Sequence, residues 1–561
     1  MTGKGSAAGL LLFAAAAIGC AQVLPEEPVG TDVRFLAQNW DAGQRDWFYH
    51  ASQGTRIMPY KWFLALEQPI PGSAGRTQFA DPAYLARFGF IADRRSDRNP
   101  DGLPVGFAWD EGSVDGSQSV MMVGLTCAAC HTGQIDYNGA SIRIDGGPAM
   151  TDLGAFQKQL GIAAFATYIQ PFRFDRFART VLEANDTPEA RKQLHQDLGQ
   201  FIDAGKTEAE AAKRQQLYPL AEGYGRLDAL GRGGNFVFGT QTGDPRNFAV
   251  ADGPVSYPGL WDAPWFDWVQ YNGAIRQPMG RNVAEAMGVR SAVKLSGPSE
   301  DLYRSTVRID NIHEMERLLA GPKAGAGLTS PRWPEDLLPK IDAGRQQRGK
   351  QLYTQMCSGC HDGGWSQPDR HGRQYRQIVM KPVDDIGTDP KAAMNFVQRK
   401  AYLNASDKTP VPAATGLKKV TDAVIERWLD DNAVPRDQRD NIKGYRDNDW
   451  RAMAAYRARP LNGIWATAPY LHNGSVPNLY QMLVPADQRD TAFSVGSRQF
   501  DPKMVGFSTD GGAGAFQFDT SIPGNSNRGH EFRNAPLRNG VIGRELTENE
   551  RWDLIEYLKS L

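Results

Sequence analysis

Two pentapeptides in this chain could do chemistry: Cys127-Ala128-Ala129-Cys130-His131 and Cys357-Ser358-Gly359-Cys360-His361. In each, two thiols three positions apart on a helical turn can add to the two vinyl groups on one haem edge. The next residue then offers an imidazole to the iron. With 5 Cys and 8 His in 561 residues, roughly 6 × 10⁻⁴ chance occurrences of such a motif are expected, so two copies lie far outside accident. The pattern predicts two covalently attached c-type haems, with Cys127, Cys130, Cys357 and Cys360 as attachment points and His131 and His361 as iron ligands. A redox-active dithiol would not need histidine beside both pairs, and zinc would need four ligands gathered from both halves of the chain.

Six histidines remain as sixth ligands: His50, His195, His313, His371, His472 and His530. His195 lies in a charged helical stretch and His371 in a polar turn, so both read as ordinary surface residues. His472 and His530 lie in glycine-bearing loops of the second half, which can bring an imidazole to an iron from the far side. An iron held by two imidazoles is suited to passing electrons, and one with a free position can bind dioxygen or peroxide.

The elements that must position these groups are mainly helical. A helical pattern runs from Thr151 to about Leu230, and Ile309 to Ala320 reads as a helix closing the first half. Arg345 to Met356 is predicted as a helix running into Cys357. At the C-terminal end Thr547 and Glu550 form a capping box, followed by an apolar helix to Leu561. No strand series stands out. The predicted fold is mainly α: two cytochrome c-like haem domains with long loops, the first carrying a large helical and loop insertion. Residues 21–330 form the first unit and 341–561 the second, with a linker at 331–340 marked by Pro331-Arg332-Trp333-Pro334, where two prolines cannot continue a helix.

Composition narrows the function. Lys and Arg number 63 against 64 Asp and Glu, a net charge of −1. With no polybasic block, a nucleic-acid partner is not expected. No apolar run approaches the length of a membrane span. Residues 1–20 have one lysine, a short apolar run and Gly19-Cys20, the order of a secretory signal. Ala17-Ile18-Gly19-Cys20 resembles a bacterial lipobox, which implies cleavage before Cys20, lipidation of its thiol, and a periplasmic or cell-surface protein anchored to the outer membrane. The lipid is the one membrane contact expected. Asp97-x-Asn99-x-Asp101-Gly102 opens like a calcium loop but has Ala108 at the twelfth position. It reads as a solvated turn, with calcium as a secondary candidate cofactor.

At its haem motifs the chain resembles the bacterial di-haem cytochrome c peroxidase superfamily. The matching residues are Arg348-Gly349-Lys350-Gln351-Leu352-Tyr353, the segment Ala468 to Pro477, and the closing helix. More narrowly it resembles the branch of rubber oxygenases and di-haem fatty-acid dioxygenases. That likeness lies in Asp145 to Ala149, Gly225 to Ala229, Trp268 to Gly273, Arg281-Asn282 and Gly524 to Phe532. The resemblance implies an open, oxygen-binding haem on His131 and a second haem on His361, closed by His530 and serving electron transfer. It also implies a distal pocket in the first unit, where Phe236, Phe238, Trp261 and Trp268 are candidates for lining it or bridging the haems.

The expectation is a dioxygenase acting with O2 on a C=C bond of an apolar small-molecule or polymer substrate. The alternatives are a peroxidase reducing H2O2 with electrons from a small redox protein, and a non-enzymatic electron carrier. No glutamine or glutamate stands out in the sequence as a distal acid–base group, which disfavours the peroxidase.

Overall fold

The computed structural model describes residues 32–70, 77–111, 120–404, 406–512 and 514–561; the segment ending in Cys20 lies outside them. The helices of the N-terminal half follow their sequence pattern. Leu153–Ile169 opens on Asp152, whose carboxylate accepts the Ala155 N–H at 2.8 Å, an N-cap. Its Phe156 packs against Phe63, Phe79, Phe88, Phe90 and Phe107, with ring centroids 5.1–6.5 Å away. Ala129 belongs to the same apolar cluster and Cys130 packs on it, so the first Cys-x-x-Cys turn rests on a phenylalanine floor. Helices Pro171–Leu182 and Pro188–Arg214 follow, each with proline in its first turn, where the missing N–H is an orphan anyway. Ile309–Ala320 is a helix, as predicted.

The fold is helix-rich but mixed, which corrects the expectation of a chain without strands. Directly after the first motif, Thr132–Tyr137 and Ala140–Asp145 pair as an antiparallel hairpin, and Val33–Phe35 adds to it in parallel. Its turn is Asn138-Gly139, with φ of 48° and 82°. That left-handed pair suits a two-residue hairpin, and Asn-Gly adopts it at least strain. Ile135, Ile142 and Ile144 are buried. A second small sheet sets Met122–Leu125, the strand leading into the first motif, between Met58–Pro59 and Phe107–Asp110.

In the C-terminal half, Ala343–Met356 runs straight into Cys357 and packs across the closing helix Glu548–Lys559. The two backbones touch at Gly349: a Cβ there would stand 2.0 Å from the Asp553 carbonyl oxygen. Arg348 clamps the crossing with a two-pronged hydrogen bond to the Asp553 carboxylate, at 2.8 and 2.9 Å. The capping box is formed: the Glu550 N–H donates to the Thr547 hydroxyl at 3.3 Å, and the Glu550 carboxylate accepts the Thr547 N–H at 2.9 Å. The largest apolar cluster draws on both halves of the chain, from Phe48 and Ile142 to Trp465 and Leu554, and Trp333 of the intervening segment is buried within it against Trp465. Among the described residues no helix is long and apolar enough to cross a membrane.

Candidate haem sites

The two motifs are built alike. Cys127–Ala129 forms one turn, capped by Thr126, whose hydroxyl accepts the Ala128 N–H at 3.2 Å. Cys357 ends its helix and Ser358–His361 adds another turn. All four cysteines are free thiols. Burial pushes the Cys130 and Cys357 thiols up to about 12. A catalytic dithiol needs the opposite shift, so these buried thiols do not support that rival reading. Among the described residues no three His, Cys, Asp or Glu side chains converge on a metal site, so the two pairs do not build a four-ligand zinc centre.

Each histidine is oriented through its Nδ1. That of His131 lies 2.9 Å from the Pro258 carbonyl, and that of His361 lies 2.7 Å from the Arg459 carbonyl. A carbonyl only accepts, so Nδ1 carries the proton in both rings and Nε2 keeps a lone pair for iron. Burial holds the His131 imidazole down at about 4, so it is neutral and able to ligate.

His530 stands opposite His361, with ring centroids 6.3 Å apart and planes at 64°. Two imidazole–metal bonds of about 2 Å each, plus two ring radii of about 1.1 Å, span roughly 6.2 Å. The spacing therefore fits one iron between the rings. The Nδ1 of His530 is buried without a hydrogen-bond partner. No second imidazole lies against His131 among the described residues. Its ring neighbour, Tyr257, precedes the Pro258 that holds Nδ1, and its hydroxyl is turned 3.4 Å from the Arg226 carbonyl.

Two guanidiniums test the site further. Arg457 and Arg459 form no ion pair with a carboxylate among the described residues, and Nε and Nη1 of Arg457 and Nη2 of Arg459 are buried without partners. Burial, and then the neighbouring Arg459, pull Arg457 down to about 9. Buried cations call for anions, and the propionate carboxylates of a haem would supply them. The donor set, the ligand spacing and the unpaired cations all fit c-type haem.

Four of the other histidines have protein partners. His50 is buried, its Nδ1 2.8 Å from the Phe107 carbonyl and its Nε2 3.0 Å from Asp93. His195 stacks on Tyr168, and His371 bonds Arg370 in an exposed turn. His472 is buried and stacks on Tyr456 at 3.9 Å rather than facing a haem motif. In the calcium-like loop the Asn99 amide is committed to its own backbone, accepting the Leu103 N–H and donating to the Leu103 carbonyl, and Asp101 accepts the Tyr60 hydroxyl at 2.7 Å.

The four aromatic candidates do not share one cavity. Trp261 is fully buried, donates to the Asn462 carbonyl at 2.9 Å and lies under the Arg459 guanidinium, between the two segments that hold the histidines. Phe238 packs among helices Pro278–Gly288 and Ala413–Asp431, and Phe236 lies beneath Arg290. Trp268 sits under Arg451, 3.7 Å from ring to cation.

Sequence reasoning missed an acidic group at the first motif. Helix Pro278–Gly288 turns Met279, Val283 and Met287 to the apolar cluster and, one turn apart on another face, Arg281 and Glu285. Both of these stand in electrostatic range of Cys127. Gln270 donates to Glu285 at 2.6 Å, Arg281 pairs with Glu316, and Asn282 donates to Glu316 at 2.6 Å. Burial pushes the Glu285 carboxyl up. The signal available was Arg281 and Glu285 at helical spacing in an otherwise apolar helix.

A helix-rich fold carrying Cys-x-x-Cys-His turns with carbonyl-anchored histidines defines a cytochrome c-like haem protein. The family described as RoxA-like, cytochrome c-like matches residues 455–494, the segment that holds Arg457, Arg459 and His472. The match supports a haem oxidoreductase of the rubber oxygenase branch with covalently bound c-type haem. Uncharacterized protein y4iJ of Sinorhizobium fredii is 42% identical over 572 residues, covering 96% of this chain and 95% of that protein, and the chain belongs to its family. Uncharacterized protein y4iM of the same organism is 27% identical over 326 residues, 54% of this chain and 63% of its own length.

Proposed function

We propose that the protein is an exported di-haem c-type oxidoreductase: a dioxygenase that opens a C=C bond of an apolar substrate, an unsaturated fatty acid or polyisoprenoid, at the haem held by His131. The haem on His361 and His530 serves electron transfer. One observation carries the reading: His361 has an imidazole 6.3 Å across from it, and His131 has none among the described residues. A c-type haem with a free axial position activates dioxygen or peroxide, and one closed by two imidazoles passes electrons. Pro258 and Arg459 orient the two proximal imidazoles through their carbonyls, and buried Trp261 lies between those segments as the bridge. Export, an outer-membrane lipid on Cys20 and a small redox-protein donor belong to the same proposal. The test is aerobic incubation with unsaturated fatty acid or polyisoprene under labelled dioxygen. Product carrying both labelled atoms without added peroxide is the expected result, and turnover only with peroxide overturns it.

Glu285 favours a second reading, a peroxidase reducing H2O2. A buried carboxyl whose proton affinity is raised by burial, oriented by Gln270 beside the first motif, can act as an acid toward a peroxide oxygen. Peroxide-dependent oxidation of a reduced small redox protein, with no oxygenated product, would select it.

A further inference from the structure

The two histidine-bearing segments are joined by one side chain. The Arg459 carbonyl accepts from Nδ1 of His361 at 2.7 Å, and Nη1 of the same residue donates to the Gly259 carbonyl at 3.3 Å. Gly259 follows Pro258, whose carbonyl accepts from Nδ1 of His131 at 2.9 Å. Three hydrogen bonds therefore run from one proximal imidazole to the other through Arg459. Its guanidinium also covers the Trp261 ring at 5.5 Å. Trp261 in turn donates to the Asn462 carbonyl at 2.9 Å, and the Asn462 amide donates to Asp262 at 2.7 Å. The charged and titratable groups around the guanidinium are Asp262, Tyr271, Arg457 and His361. None of them forms an ion pair with it, so no side chain of the protein cancels its charge at contact.

We infer that Arg459 is a shared positioning residue for both haems, setting their reduction potentials together from a single charge at the joint between their proximal ligands. A cation in a dry interior favours the iron state with less positive charge, and its field reaches both sites because little water screens it. The hydrogen-bonded path adds a mechanical tie: a shift of Arg459 moves the acceptor of His361 directly, and that of His131 through Gly259. The inference rests on the di-haem reading, which a haem count on the wild-type protein tests separately; fewer than two haems per chain refutes that reading.

On full-length di-haem protein, the two potentials are measured by spectroelectrochemical titration. Arg459→Gln keeps a donor but loses the charge, and both potentials should move negative together. Arg459→Lys keeps the charge, and both should stay at the wild-type values. A glutamine variant in which one potential moves alone, or neither moves, overturns the inference. If that variant does not accumulate, Asp262→Asn decides, since it removes the negative charge facing Arg459 without changing shape. Both potentials should then move positive together, and a change confined to one haem overturns the inference. A purely structural role for Arg459 would not give shifts of opposite sign in the two variants.

Discussion

Arg489 fixes the loop that presents His530: its Nη2 donates to the His530 carbonyl at 3.1 Å and its Nη1 to the Gly529 carbonyl at 3.0 Å. His530 itself has a φ of 46°, a left-handed conformation that a non-glycine residue keeps only where its surroundings impose it. The imidazole opposite His361 is thus held by the backbone around it.

If His530 closes the iron on His361, as proposed, His530→Ala should convert that haem from low to high spin. Absorbance and electron paramagnetic resonance on the oxidised protein measure this. A spectrum unchanged from wild type would show that another group closes that iron.

Glu285→Gln separates the two functional readings. If the protein reduces peroxide, loss of a positioned acid should lower turnover by about 10²–10⁴-fold. If it is a dioxygenase, oxygen uptake with substrate should change only severalfold. Parallel steady-state rates with peroxide and with dioxygen decide.

His472 predicts an acid limb in stability. Burial holds its imidazole down at about 3, against about 6.5 in the unfolded chain. Above pH 6.5 both states are neutral and the residue contributes no pH dependence. As pH falls below 6.5 the unfolded chain takes a proton that the folded one refuses, so stability falls until about pH 3. Between pH 7 and 5 this loss is on the order of 2 kcal/mol. His472→Gln should remove that part of the slope in denaturant titrations at the two pH values.

Gly349→Ala should destabilise the protein by roughly 1–3 kcal/mol, since the added methyl meets the Asp553 carbonyl at the helix crossing. Denaturant midpoints measure the loss. An unchanged midpoint would show that the crossing can open at no cost.

Much of this was legible in the sequence because the signals were local. The Cys-x-x-Cys-His turns, the Thr547–Glu550 capping box and the 309–320 helix each depend on residues a few positions apart. His530 was legible through its glycine-bearing loop and the resemblance around it. The Thr132–Asp145 hairpin was missed although its Asn138-Gly139 turn and alternating isoleucines were present. The acceptors of His131 and His361 left no such trace, since a backbone carbonyl carries no residue type. Arg457 and Arg459 carry no local signal that separates them from surface charges. Only the folded chain brings segments such as 258–262 and 459–463 together and strips them of water.

The contact between Gly349 and the Asp553 carbonyl also has a consequence in time. A chain is synthesised from its N-terminus and folds in that order, so Cys357 and Cys360 are exposed long before Glu548–Lys559 is made. Until that last helix docks, the enclosing pair cannot shut. An enzyme that attaches a porphyrin thus meets the turn before that helix docks, and in the finished protein both thiols are partly covered.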